Sequence, residues 1–597
     1  MCAISGILSR NGVQINPKIL NSINESMYQR GPDAEGIWLS SDLRVGMAHR
    51  RLSIIDLSKN SNQPIVWKNN KYIIVFNGEI YNYLILKKEL ENKGVIFYTS
   101  SDTEVLVALY EDRGVKMVEN LRGMFSFAIW DNEKKGIFLA RDPYGVKPLY
   151  YTNEDGFFLW ASQVKALASN IRVSQDPKGK VGFFVLGSVP EPDTIYKEIK
   201  SLPAGHWMWV DEKKIELHMY KSIAEQFRLA SEAQPMSESD SLELAKFEIE
   251  ESVKMHLISD APIGAFLSAG LDSTALVTLM AQIMPDSSKL KTITLGIDEY
   301  INTRNDETKY AAKTAEKLGT SHTEKILRFE DLSKDIEKFI KSMDMPSIDG
   351  LNTYFVSQVA AQQGLKVVIS GLGGDELLGG YSSFTEIPNI YNITKYPSKI
   401  PGLGTNFRII SGEVIKKFTS TKYSGMFEYG GSYGGIYMLR RGLYMPWELP
   451  ELMDPEIAAQ GWRELNLVNR LNSEINDIST ATLKIAALES GWYMKNQLLR
   501  DADWAGMSSS IEIRVPLVDF ELLRNLTPAL STLIKIGKKN VIKNCVQDIL
   551  RPIIKKSKTG FSIPIKKWDQ KVFNINSSER GLRGWAKNIF KYGGWKA

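Results

Sequence analysis

Ile263-Gly264-Ala265-Phe266-Leu267-Ser268-Ala269-Gly270-Leu271-Asp272-Ser273 reads as an apolar strand, a turn of small residues and the start of a helix. In that order the backbone N–H groups of the turn and the positive helix terminus can converge on an anion. The usual lysine of a phosphate loop is missing, and Asp272 stands where a cationic side chain would be. A second turn, Ser370-Gly371-Leu372-Gly373-Gly374-Asp375-Glu376, also follows an apolar stretch and also carries an acid. Either loop alone could be an ordinary βα turn. Together they point to ATP, with Asp272 and Asp375 sharing Mg²⁺ on its phosphates, because Mg²⁺ is usually held by one or two carboxylates plus phosphate oxygens.

Outward from this stretch, strand and helix alternate. Helices are expected at 242–255, from 273, and at 307–318, and strands at 263–267, 292–296 and 366–370. Such alternation predicts a parallel sheet, with both loops facing one crevice at the strand ends. Long, aromatic-bearing helices follow residue 381. Before residue 220 the rhythm differs: short strands at 71–76, 124–130, 136–140 and 157–160, and helices at 17–29 and 103–113, predict a sheet-rich α+β domain. The polar run Ser231-Glu232-Ala233-Gln234-Pro235-Met236-Ser237-Glu238-Ser239-Asp240 reads as an exposed connection. Expected domains are therefore 2–220, a linker at 221–240, and 241–597.

The 597 residues include only two cysteines, Cys2 and Cys545, which rules out a disulfide framework and suggests a cytoplasmic setting. A net charge of +5 is too dilute for a nucleic-acid footprint, although Lys555, Lys556 and Lys558 form a local basic cluster. No apolar run of membrane-spanning length and no signal-peptide pattern is present, so a soluble protein without nucleic-acid or membrane partners is expected. The histidines, His49, His206, His218, His256 and His322, are scattered, and no C-x-x-C occurs, so neither zinc nor an organic cofactor is expected. Each histidine reads as a packing or surface residue.

Cys2 lies directly behind the initiator in Met1-Cys2-Ala3-Ile4-Ser5-Gly6-Ile7. Removal of Met1 would put a thiol and a free α-amine on one residue. An α-amine with a pKa of about 7.7 to 8.0 can accept the thiol proton at neutral pH. On its own Cys2 could equally be a small buried hydrophobe.

With these residues on view, the chain resembles the glutamine-hydrolysing asparagine synthetase family almost end to end. In the first domain the likeness rests on Cys2 to Ile7, Arg30-Gly31-Pro32-Asp33, Arg51-Leu52-Ser53-Ile54-Ile55-Asp56, Phe76-Asn77-Gly78-Glu79-Ile80-Tyr81-Asn82, Ser101-Asp102-Thr103-Glu104 and the run 140–150. In the second it rests on 268–273, 370–381, 498–501, Ser510-Ile511-Glu512-Ile513-Arg514-Val515-Pro516 and Lys558-Thr559-Gly560-Phe561. The resemblance implies an N-terminal-nucleophile αββα sandwich followed by an α/β ATP pyrophosphatase domain with a helical C-terminal part.

Carried over residue by residue, Cys2 would be the glutaminase nucleophile, and the Asn77 side chain with the Gly78 N–H its oxyanion hole. Arg51 would grip the glutamine α-carboxylate beside Leu52, Ser53, Ile54 and Ile55, and Glu79 with Asp102 would take the α-ammonium. Singly, Arg51 could be a surface ion pair, and Glu79 and Asp102 turn or cap residues. The resemblance places the adenylate near Leu267, Leu295, Ser370 and Gly371 and the pyrophosphate on Ser268, Gly270, Asp272 and Ser273. Lys558 would contact developing phosphate charge, or simply belong to a solvated basic cluster. The implied substrates are glutamine, ATP and aspartate, with AMP and pyrophosphate released and ammonia passed internally between the sites. A homodimer is one expectation for assembly.

Three positions depart from the family pattern. Ala3 and Ala269 replace customary glycines, and an alanine forced into the left-handed region would cost about 1 to 2 kcal/mol. Leu372 replaces a glutamate that serves the activated intermediate in aspartate-amidating members. Either another acid such as Glu376 or Glu512 does that work, or the acceptor is a different carboxylate, such as a uronic-acid sugar or a peptide-like metabolite. A glutaminase-only or non-catalytic relative is the remaining alternative.

Overall fold

The computed structural model describes residues 2–546, 563–573 and 579–595. Lys558, with Lys555, Lys556 and Phe561, lies outside the described residues.

Two six-stranded antiparallel sheets build the first half. One is ordered Lys200–Ser201, Tyr150–Glu154, Phe157–Ala161, Ala3–Ser9, Val45–Arg51, Ala34–Leu39. The other runs Ile215–Met219, His206–Val210, Gly136–Arg141, Gly123–Asp131, Tyr72–Ile80, Ile65–Trp67. Period-two alternation explains why they stack. Ile4, Leu8, Val45 and Met47 of the first sheet meet Ile73, Val75, Ala128 and Leu139 of the second in one buried layer. On its opposite face the second sheet packs Phe76, Phe125 and Phe127 against the helices Tyr83–Asn92 and Asp102–Arg113. The first sheet turns Ala3, Ile7 and Ala48 toward the helix Pro17–Ser26, which contributes Leu20 and Ile23. Helix, sheet, sheet and helix thus form four layers, as expected.

The second half carries a five-stranded, all-parallel sheet ordered Ser321–Leu327, Lys291–Ile297, Ile263–Phe266, Val367–Ile369, Glu512–Arg514. From Ile263–Phe266 the chain runs to one side and later returns on the other, so the two glycine-bearing turns leave adjacent strand ends at the point where strand order reverses. In open parallel sheets that crevice is the ligand site. Among the described residues no helix is long and apolar enough to cross a membrane.

The stretch expected as a linker, 221–240, is largely helical. Ser222 caps a helix, Ile223–Glu232, whose Ile223, Phe227 and Ala230 are buried at helical spacing. A second helix, Glu238–His256, begins inside the same stretch with Ser237 as its cap. The polar run is therefore two helix ends and a short join, mostly exposed, in which Ser237 satisfies a free N–H group.

Neither alanine departure strains the backbone. Ala3 lies inside the extended strand Ala3–Ser9, and Ala269 has no positive φ.

Candidate functional sites in the two halves

Cys2 precedes the central strand Ala3–Ser9. Its backbone N–H donates to Asn77 Oδ1 at 3.1 Å, and its Sγ lies 4.0 Å from the Leu52 carbonyl oxygen. Burial pushes the thiol pKa up, so the sulfur needs a proton acceptor to become nucleophilic. Asn77 is fully buried, and with Oδ1 spent on Cys2 its Nδ2 has no hydrogen-bond partner. A buried amide donor without a partner is costly, and here it belongs to the side chain that holds the Cys2 backbone N–H. Next to it, Gly78 has φ +151°, and a Cβ there would come within 2.1 Å of the Met124 carbonyl oxygen. Only glycine fits, which leaves its N–H unscreened by a side chain.

Glu79 follows two residues later on the same strand face and is buried; its carboxylate lies 3.3 Å from Arg514 Nη2, in the second half. Asp102 opens the helix Asp102–Arg113 and accepts from the Ile80 N–H at 3.1 Å. Burial raises its pKa to about 6. Two acids, Glu79 on the strand that carries Asn77 and Asp102 beside its end, thus stand near Asn77.

Arg51, expected to grip the glutamine α-carboxylate, is held by its own loop in this structure. Its Nη1 donates to the Ser58 carbonyl and Asn62 Oδ1, both at 2.7 Å, and its Nη2 to the carbonyls of Ile55 and Asp56. The guanidinium thus folds its own loop, fixing Leu52, Ser53, Ile54 and Ile55 as a wall near Cys2. The five-donor geometry of arginine suits such carbonyl clamping as well as it suits a carboxylate.

In the second half the two turns interleave. Ser268 Oγ and Ser273 Oγ are 2.9 Å apart, and the Gly270 N–H donates to Ser268 Oγ at 3.0 Å. Leu267 and Leu295 are buried at the strand ends. A Cβ on Gly371 would come within 2.9 Å of the Ser273 nitrogen, and one on Gly374 within 2.5 Å of Asp272 Oδ1. Glycine thus lets the second loop press against the first. The result brings Asp272 and Asp375 onto one cation: Lys538 Nζ lies 2.7 Å from Asp272 Oδ2 and also contacts Asp375 Oδ1. Two hard carboxylates close enough to share a charge fit a magnesium site.

Lys538 escaped the sequence reading. It opens the helix Lys538–Cys545, and nothing local distinguishes it from the neighbouring Lys539.

Leu372 is half-buried and packs on the core. Of the two candidate replacement acids, the structure separates one from the loop. Glu512 pairs in register with Val367 at the start of its parallel strand and is bound to Arg514 in the seam between the halves. Glu376 follows Asp375 directly, is buried, and accepts from Tyr381 Oη at 2.6 Å. Burial pushes its pKa up to about 7, a value suited to moving a proton at neutral pH.

The halves are sutured by buried charge. Arg30 donates to Cys2 O at 3.2 Å while its two Nη atoms grip the Asp503 carboxylate at 2.6 and 3.1 Å. Asp344 accepts from the N–H groups of Val164 and Lys165.

Comparison with known proteins agrees with this division. Residues 1–221 match the glutamine amidotransferase domain family, and residues 246–580 match the asparagine synthase family. The chain is 28% identical over 604 residues to glutamine-hydrolysing asparagine synthetase 1 of Bacillus subtilis (strain 168), covering 99% of this chain and 90% of that protein. It is 31% identical over 407 residues to asparagine synthetase B of Escherichia coli (strain K12), covering 65% of this chain and 66% of that protein. A Gibberella zeae protein named as an amidase is 29% identical over 420 residues, covering 64% of this chain and 60% of that protein. A cysteine held by a buried asparagine in one half, two interleaved acidic turns in the other, and these two matches in the same order together show that the chain belongs to the asparagine synthase family, with a glutamine amidotransferase domain at its N-terminus.

Proposed function

We propose that this chain is a glutamine-dependent ligase that hydrolyses glutamine at Cys2 and uses the ammonia to amidate a carboxylate activated by ATP. The observation that carries the first half of this reading is the buried Asn77 side chain, which holds the Cys2 N–H through Oδ1 and leaves Nδ2 without a partner. Removal of Met1 uncovers the α-amine that takes the thiol proton. The thiolate attacks the glutamine carboxamide, and the oxyanion forms against Asn77 Nδ2 and the Gly78 N–H. Collapse releases ammonia and leaves a thioester, which water cleaves to glutamate. Arg51, which orders the Leu52 to Ile55 wall of the pocket, supplies the positive charge for the substrate α-carboxylate, and Glu79 and Asp102 supply the negative charge that its α-ammonium requires.

At the second site, Ser268, Gly270 and Ser273 hold the phosphates, and Leu267, Leu295, Ser370 and Gly371 the adenylate. Asp272 and Asp375 would hold Mg²⁺, which when bound supplies neutralisation of phosphate charge. The acceptor carboxylate attacks the α-phosphorus, pyrophosphate leaves, and ammonia displaces AMP from the acyl-adenylate. Glu376 is the acid placed to accept the proton that ammonia sheds, in place of the residue that Leu372 cannot be. Lys558 keeps its expected phosphate role as part of this proposal.

Asn77→Ala is expected to lower glutamate release by about 10² to 10³, the usual loss when one oxyanion donor is removed. Release unchanged in that variant would falsify the assignment. Aspartate is the acceptor we propose, supported by the names of the Bacillus and Escherichia relatives. A second reading, a different carboxylate, is supported by Leu372 and by the fungal relative's different name. The purified protein with glutamine, ATP and aspartate is expected to form asparagine. Pyrophosphate release from a panel of sugar acids and peptide-like acids, without asparagine formation from aspartate, would transfer the assignment to the second reading.

A further inference from the structure

Arg514 ends the strand Glu512–Arg514 and is fully buried. Three of its four donor contacts are fixed within the second half: Nε on Glu512 Oε1 at 2.6 Å, and Nη1 on the carbonyls of His256 at 2.8 Å and Ile258 at 2.6 Å. Its remaining nitrogen, Nη2, makes no hydrogen bond and lies 3.3 Å from Glu79 Oε1 across the seam. The contact is therefore one of charge, and the Glu79 lone pairs are not consumed by an aligned donor.

Glu79 needs such a neighbour. Burial raises its pKa well above the ordinary carboxylate value, and Glu512 and Asp102 push it in the same direction; Arg514 is the first opposing influence. A neutral carboxyl would attract an ammonium poorly, whereas guanidinium charge persists at every working pH.

We propose that Arg514, supplied by the synthetase half, is the positioning residue that holds Glu79 ready for the α-ammonium of glutamine, so that the glutamine site is completed only across the seam. This rests on the reading of the first half as a glutaminase. The same residue's carbonyl accepts from the Ser370 N–H at 2.9 Å, at the head of the second loop, so the group that sets Glu79 is tied to the nucleotide side by backbone.

The test compares glutamine with glutaramate, which is glutamine without its α-amine, in the full-length protein. Arg514→Met is expected to raise KM for glutamine about 10- to 100-fold, the worth of one charge-assisted contact, with kcat changed far less. Hydrolysis of glutaramate should stay within about twofold of its unmutated rate, since no ammonium is there to be read. Arg514→Lys should recover part of the loss, and Glu79→Gln should mimic Arg514→Met. An unchanged KM for glutamine, or an equal loss on both substrates, overturns the proposal. Ammonia-dependent pyrophosphate release reports whether each variant is folded, and should Arg514→Met fail there, the two-substrate comparison on Arg514→Lys and Glu79→Gln decides. Absence of glutamate release from the unmutated protein would instead defeat the glutaminase reading itself.

Discussion

Cys2→Ala is expected to abolish glutamate release from glutamine while leaving ammonia-dependent pyrophosphate release within a few-fold of the unmutated protein. Removal of a covalent nucleophile typically lowers the chemical step by roughly 10⁶, which in practice is background. Alanine keeps every backbone contact that places residue 2: the N–H still donates to Asn77 Oδ1, and the carbonyl still accepts from Arg30 Nε. The change therefore removes the sulfur alone, and the docking of Arg30 on Asp503 survives. The phosphate turns belong to a different sheet, so adenylation should be untouched. Parallel assays of glutamate with glutamine and of pyrophosphate with ammonium chloride check both arms. Loss of both activities would show that the two chemistries are not separable as drawn.

Asp272→Asn is the converse change. Asparagine matches aspartate in shape and can sit against Gly374 as the native side chain does, but it cancels one of the two charges that converge on Lys538. A cation bound between the pair would lose half its anionic support. On the order of 3 to 4 kcal/mol of transition-state stabilisation is at stake, or about 10² to 10³ in pyrophosphate release. Glutamate release should hold within a few-fold, because Cys2, Asn77 and Glu79 lie in the other half. Pyrophosphate release at the normal rate would remove Asp272 from the metal site.

Strands with strong local patterns were readable in the sequence. The expected 124–130 and 136–140 correspond to Gly123–Asp131 and Gly136–Arg141, neighbours in one of the two stacked sheets, where alternating apolar residues feed the buried layers on its two faces. Two strands of the parallel sheet gave no such signal. Ser321–Leu327 is a polar edge strand with much of its length in contact with water, and Glu512–Arg514 spans only three residues, two of them charged. Burial of those charges depends, beyond their own pairing, on His256, Ile258 and Glu79, partners far away in sequence that no local pattern records. The same limit applies to the sites. Cys2, Asn77 and the two acidic turns belong to short motifs, whereas Lys538 reaches Asp272 across 266 positions and Asp375 across 163. The connection at 221–240 is exposed over much of its length, as its polar composition suggests, but that composition did not show that Ser222 and Ser237 cap helices within it.

The ammonium bridge of Lys538 bears on which visitors the crevice admits. A bare divalent ion arriving alone must evict an ammonium that already bridges Asp272 and Asp375, and it brings no anion to receive it. A metal escorted by a triphosphate brings surplus negative charge to which the displaced ammonium can swing. On the proposed function, metal and nucleotide should consequently favour each other's entry, and solitary magnesium should be retained poorly, with one lysine acting as doorkeeper.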